Sequence, residues 1–128
     1  MRRSIAGIAI RDGKVLVAKR KAGGAIGLMW EFPGGKLEEG ETDEMALVRE
    51  FDEEFGIKVI PLRPLGSSRF LSPSGERLLN AWLVEIPADS DFQLREHTET
   101  AWVGYGDLSR LDLAESDRNI VHLLDGQI

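Results

Sequence analysis

The sequence predicts a layered α/β or α+β domain, on three observations. Short strand-like segments recur along the chain, and one well-bounded helix lies near its middle, at residues 42–55. The length of 128 residues, with 42% hydrophobic and 30% charged residues, suits one soluble domain with its own core. A chain of this size buries roughly two-thirds of its unfolded surface. Residues 1–128 are expected to form a single domain, since no repeat, low-complexity stretch or linker interrupts them.

Ser4–Arg11 alternates loosely, and Asp12-Gly13 gives a tight-hairpin signal before a second apolar segment, Lys14–Lys19. Residues 20–28 are basic and glycine-rich and read as a mobile loop. Met29–Phe32 is short and apolar, and Pro33-Gly34-Gly35 ends it. In the helix that follows, Thr42 has N-cap chemistry, Asp43 and Glu44 sit in the first turn, and Gly56 is the stop. Ile57–Leu71 is apolar but contains Pro61 and Pro64, so two strand fragments are expected. Ser72-Pro73-Ser74-Gly75 reads as a turn, Leu78–Ile86 as a strand and residues 87–95 as a polar connection. Thr100–Val103 reads as a short strand and Ser116–Leu124 as a final helix.

Acidic residues outnumber basic ones by 22 to 16, for a net charge of −6. A generic nucleic-acid polymer binder carries the opposite excess, so that class is excluded. Phosphates remain accessible through a metal ion or a local basic cluster. The absence of cysteine rules out disulfides and thiolate metal sites and suits a reducing cytoplasm. There is no signal-peptide core and no apolar run long enough to span a bilayer. A cytoplasmic protein without membrane association is expected.

The chemistry concentrates in residues 35–57. Residues three and four apart share a helix face. Glu50, Glu53 and Glu54 therefore form one carboxylate cluster, with Leu47, Val48, Phe51 and Phe55 as an apolar stripe on another side. Like charges at this spacing cost roughly a few tenths of a kcal/mol per pair. A hard divalent ion removes that cost, and carboxylates suit Mg²⁺ or Mn²⁺ better than zinc. Gly34-Gly35 lets the backbone approach a ligand closely. Arg49 can pair with Glu53 one turn on, or with Glu41 in the preceding loop, and hold the carboxylates in place. A carboxylate beside a bound metal can also take the proton of an attacking water.

This segment resembles the Nudix box: glycine, five residues, glutamate, seven residues, Arg-Glu-bulky apolar, one residue, Glu-Glu, one residue, glycine, bulky apolar. Gly35, Glu41, Arg49, Glu50, Glu53, Glu54 and Gly56 meet the fixed positions. Phe51 and Ile57 fill the bulky ones, Phe51 being aromatic where an aliphatic residue is commoner. The resemblance implies the Nudix α/β/α sandwich, a mixed β-sheet between helices with a loop–helix–loop catalytic motif. It implies attack of water on a phosphorus of a nucleoside diphosphate linked to a group X. Glu50 matches a metal ligand or base, Glu53 and Glu54 match metal ligands, and the Gly34 carbonyl matches a backbone ligand. Arg49 matches an orienting residue. The implied cofactor is Mg²⁺, with Mn²⁺ as an alternative.

Trp30-Glu31-Phe32-Pro33-Gly34-Gly35-Lys36 extends the similarity to the MutT-like branch, which sanitises nucleotide pools or cleaves pyrimidine triphosphates. By that resemblance Glu31, Phe32, Pro33, Gly34 and Lys36 line the nucleotide site. Arg20 matches the basic residue ahead of it, and Lys19 or Lys21 could serve instead. Glu99, three residues before Trp102, matches a further metal-binding glutamate. Asp117 matches a base-reading Asn or Asp. Glu115-Ser116-Asp117 stands where the guanine-oxidation enzymes have a proline-rich run ending in Asn, a departure that weakens the case for 8-oxo-dGTP. An ionised Asp117 would accept from an exocyclic amino group, as on cytosine or adenine. His97 is expected as a surface loop residue or as an alternative base beside Glu99, and His122 as structural. Trp82 and Trp102 are expected in the core. The implied substrate is a nucleoside triphosphate, cleaved to a monophosphate and pyrophosphate. The alternative is ADP-ribose or another sugar nucleotide, suggested by Pro73 sixteen residues beyond the box. Both a monomer and a homodimer fit the resemblance.

Overall fold

Strand β1 (Arg2–Arg11) organises the sheet, because it pairs on both edges and in both senses. In the computed structural model, which describes residues 2–128, it runs parallel to β6 (Gly75–Glu85) from Arg2 to Ala9. Its other edge meets β2 (Lys14–Arg20) only next to the hairpin, at Ile10↔Val15 and Arg11↔Lys14. Beyond the hairpin β1 and β2 diverge, and the Trp30–Lys36 segment fills the gap. Its first part, β3 (Trp30–Glu31), pairs with β2, and its last part, β4 (Gly34–Lys36), pairs with β1. Between them the Gly7 N–H donates to the Pro33 carbonyl at 2.7 Å. The segment expected to line a nucleotide site is thus stitched into the sheet on both sides.

β5 (Ile60–Ser72) forms the edge beyond β6, and β7 (His97–Gly104) pairs with β2. The described residues form a mixed seven-stranded sheet in which β1–β6 is the parallel pair. Strand alternation divides the core into two layers. Ile5, Ala9, Leu16 and Ala18 point to one face and pack on helix α1 (Asp43–Phe55) through Leu47, Phe51 and Phe55. Ala6, Ile8, Val15 and Val17 point to the other, against Leu108, Leu113, Ile120 and Leu124. Helical layers on both faces give the expected sandwich.

The α1 boundaries follow local chemistry. Thr42 Oγ1 accepts from the Met45 N–H at 3.2 Å, and Gly56 turns left-handed at φ 68° to end the helix. Arg95 donates to the last carbonyls, those of Asp52 and Glu53, where a cation also complements the helix dipole. At the other end, Asn80 and the Trp82 indole both donate to Asp43 Oδ2, so β6 anchors the first turn.

Three expectations are corrected. Ile57–Leu71 is not two fragments: β5 is one strand whose register shifts at Pro61/Arg63 and Pro64/Gly66. Each proline coincides with a bulge, which takes its missing N–H out of the ladder. The last helix is only α2 (Glu115–Arg118), followed by a 3₁₀ turn at Val121–Leu124. It is tied to β3, with Ala114 N–H donating to the Trp30 carbonyl, and Ile120 and Leu124 still reach the core. The buried stripe of α1 is Ala46, Leu47, Phe51 and Phe55, while Val48 is exposed beside Met45. No helix among the described residues is long and apolar enough to cross a membrane.

Candidate active site

Arg49 is the hub of the box. Its Nε and Nη2 donate to the two Glu41 oxygens at 2.7 and 2.8 Å, and Nη1 donates to Glu50 at 2.7 Å and Glu53 at 3.2 Å. Nη2 also donates to the Lys36 carbonyl at 2.9 Å, tying helix to β4. Both expected pairings of Arg49, with Glu41 and with Glu53, occur together. The hydrogen bonds from Arg49 pull the Glu41 pKa down to about 2, and Glu41 in turn accepts from the Glu38 N–H.

The two glycines make room for this arrangement. A side chain at Gly34 would run into the Ile5 carbonyl across β1. A Cβ at Gly35 would lie 2.7 Å from the Glu50 carboxylate. Glu50 therefore rests directly on the backbone of β4, part-buried, and burial raises its pKa.

The three box carboxylates separate by depth. Glu53 is exposed, Glu50 lies at the rim, and Glu54 is buried beneath them at 1% exposure. Both Glu54 oxygens lack a hydrogen-bond partner among the described residues. Burial, then the nearby charges of Glu31 and Glu50, push its pKa up to about 10. An orphaned, enclosed carboxylate among other carboxylates is a site short of positive charge, and a divalent cation fits that deficit.

Glu54 faces Glu31 and His97. His97 was expected on a loop, but it opens β7, is fully buried and stacks on Phe55 with centroids 5.2 Å apart. A bulge places it there. Counting back from Trp102 and Thr100, strict alternation would bring Thr98 to the α1 face, but the register shifts between Lys19 and Arg20 and pairs Arg20 with His97. His97 Nε2 lies 2.7 Å from Glu31 Oε2 and 3.7 Å from Glu54 Oε1. Alternation in a single sequence cannot reveal a bulge, so this residue was missed.

Glu99 goes the other way. It pairs with Lys19, in line with Val15 and Val17, on the sheet face opposite α1 and exposed. The structure does not bring it to the box carboxylates, and Glu31 and His97 stand there instead.

A cleft of about 310 Å³ runs along the Trp30–Lys36 segment. Arg20, Glu31, Phe32, Gly34, Lys36 and Asp117 line it, together with Phe70 and Ile26. Pro33 is buried just behind, its carbonyl held by Gly7. Arg20 Nη1 lies 3.3 Å from Glu31 Oε2 and 3.8 Å from Glu96. Asp117 Oδ2 accepts from the Phe32 N–H at 3.1 Å. Its carboxyl is buried, and that burial, reinforced by Glu31, raises its pKa well above the usual carboxylate value. Burial thus favours the protonated form of Asp117, which can donate, over the ionised form that would act as an acceptor.

The cleft thus combines apolar walls, the carboxyls of Glu31 and Asp117 and two close-approach glycines, one of which carries Glu50 against its far side. Comparison with known proteins agrees. The chain is 36% identical over 114 residues to the CTP pyrophosphohydrolase of Escherichia coli, spanning 88% of this chain and 83% of that one. It is 31% identical over 117 residues to the 8-oxo-dGTP diphosphatase of Haemophilus influenzae, spanning 88% and 82%. The solution structure of the E. coli ORF135 protein superposes with a TM-score of 0.84 at 31% identity, covering 98% of this chain and 89% of that one. Residues 1–124 match the NUDIX domain. A match of that extent, on a chain whose box residues converge in space, makes this protein a member of the NUDIX domain family, a Nudix hydrolase.

Proposed function

We propose that the protein hydrolyses a nucleoside triphosphate to a nucleoside monophosphate and pyrophosphate, using Mg²⁺ or Mn²⁺. The observation that carries this reading is the cleft itself. It is lined by Phe70 and Asp117, suited to a base, and by Gly34 and Gly35, and the Glu50 carboxylate rests against Gly35. The CTP pyrophosphohydrolase and 8-oxo-dGTP diphosphatase named among the relatives support it.

Glu50, Glu53, Glu54 and the Gly34 carbonyl would hold a divalent ion, which would supply charge neutralisation and an acidified water. Glu50 would take the water proton on its carboxylate. Arg49 keeps Glu50 and Glu53 in register. Lys36, exposed at the cleft edge, and Arg20 meet the phosphates. Asp117, whose burial favours the protonated carboxyl, would donate to a carbonyl oxygen or ring nitrogen of the base. Pro73 needs no substrate role, because Ser72 Oγ donates to the Gly75 carbonyl at 2.7 Å and closes an ordinary turn around it. The reading takes residues 1–128 as one cytoplasmic hydrolase domain, monomeric or homodimeric, in keeping with a cysteine-free chain.

The test is a substrate panel with Mg²⁺: CTP, dCTP, 8-oxo-dGTP, dGTP and ADP-ribose, with pyrophosphate and phosphate release both measured. Turnover of a triphosphate with pyrophosphate release is expected. Preference for ADP-ribose, or no turnover at all, overturns the proposal.

A further inference from the structure

We propose that Glu31, Glu54 and His97 form a mixed nitrogen–oxygen cation site beneath the box helix, one that favours a first-row transition ion over Mg²⁺. The proposal rests on Glu54 as a metal ligand, as above, and adds a carboxylate and an imidazole from outside the box.

The three residues come from β3, α1 and β7, and one ligand atom of each lies within 4.8 Å of the others. Ligands about 2.1 Å from one ion sit roughly 3 to 4 Å apart, so small side-chain shifts bring these atoms into range. Glu54 is 1% exposed and neither of its oxygens has a hydrogen-bond partner among the described residues, so a buried group aimed into the cluster lacks its counterpart. The His97 ring stacks on Phe55 at 15° between planes, which directs its edge towards the carboxylates. Among the described residues Nδ1 is buried without a partner, and the ring's polar contacts fall on Nε2. Arg20 approaches the same Glu31 oxygen from the solvent side, at 3.3 Å. An ion between Glu31 and Glu54 would share the charge balance that Arg20 now supplies to Glu31.

The donor set decides the metal. Mg²⁺ keeps to oxygen ligands and waters in near-octahedral geometry, whereas imidazole nitrogen suits later divalent ions. A box completed by His97 therefore discriminates among ions that an all-carboxylate box treats alike.

The experiment uses the full chain loaded with Mn²⁺ and pulsed electron paramagnetic resonance. Nitrogen modulation from a directly bound imidazole is expected, changing to the ¹⁵N pattern in protein made with ¹⁵N-histidine. His97→Gln should abolish the modulation and lower Mn²⁺ affinity by about 10–100-fold, with a smaller effect on Mg²⁺. His122→Gln, at an exposed position, should retain the modulation, which identifies the nitrogen even if His97→Gln fails to fold. Bound Mn²⁺ without nitrogen modulation overturns this site and leaves His97 as the hydrogen-bond partner of Glu31. No bound Mn²⁺ at all overturns the metal reading of the box as well.

Discussion

Arg49 and Glu41 are locked by a two-pronged ion pair, at 2.7 and 2.8 Å, while a third nitrogen of the same guanidinium reaches Glu50. Lysine would keep the charge but lose the planar fork that serves three carboxylates and a carbonyl at once. Arg49→Lys is expected to lower kcat/KM by about 10–100-fold, the range for partners that orient metal ligands. A double-mutant cycle with Glu41→Gln should show coupling of about 0.5–3 kcal/mol. Additive losses in that cycle would mean that Glu41 and Arg49 act separately.

Gly35 and Glu50 depend on each other by contact, since a Cβ at Gly35 would meet the Glu50 carboxylate. Glu50→Gln should reduce kcat by about 10²–10⁴-fold, the usual loss for a general base. Gly35→Ala should push Glu50 off its seat and cut kcat by a comparable order while the far-ultraviolet spectrum stays unchanged. Steady-state rates for both variants are the check. A near-wild-type rate for Glu50→Gln would move the base to a neighbour such as Glu31 or His97.

The box was legible because its spacing is local: a helix of known period turns Arg49, Glu50, Glu53 and Glu54 into a surface without knowledge of the rest of the fold. The cleft segment was legible for a related reason, since Trp30–Lys36 works as one continuous stretch of backbone. What stayed hidden depends on pairing between distant strands. The bulge between Lys19 and Arg20 turns His97 inwards and leaves Glu99 on the opposite face, and neither residue carries a local mark of it. The prolines of β5 misled for the converse reason: their local signal was real, and the bulges absorbed it.

Burial of Glu54 makes stability depend on pH in a defined sense. Its folded pKa stands at about 10 against an ordinary 4.5, so the folded state keeps a proton that the unfolded chain releases. Stability from this group is complete below the unfolded value and falls as pH rises towards 10. Glu41, held down at about 2, contributes above 4.5 and is lost only in strong acid. The metal-free protein should therefore show a falling Tm between about pH 5 and about pH 9. Divalent metal should raise Tm more at the alkaline end, because only ionised carboxylates bind it. Calorimetry with and without chelator reads this directly. A flat profile, or one that Glu54→Gln leaves unchanged, would contradict the assignment.

Asp117 separates two roles that the sequence alone could not. Its Oδ2 accepts from the Phe32 N–H inside the cleft, and burial favours the protonated carboxyl. Asparagine has nearly the same shape, retains an acceptor for Phe32 and carries a donor without an ionisation cost. Asp117→Asn should therefore keep Tm at neutral pH equal or higher, and kcat/KM for the preferred triphosphate should stay within about 10-fold of wild type. Asp117→Ala strands the buried Phe32 N–H and should cost about 1–3 kcal/mol. If the residue instead worked as an ionised acceptor from an exocyclic amine, asparagine would turn one of its acceptors into a donor facing that amine. Asp117→Asn would then raise KM steeply while kcat held, and wild-type kcat/KM would climb with pH through the Asp117 titration. The two outcomes are opposite in KM and in pH profile, so one set of kinetics with both variants decides how this cleft reads its base.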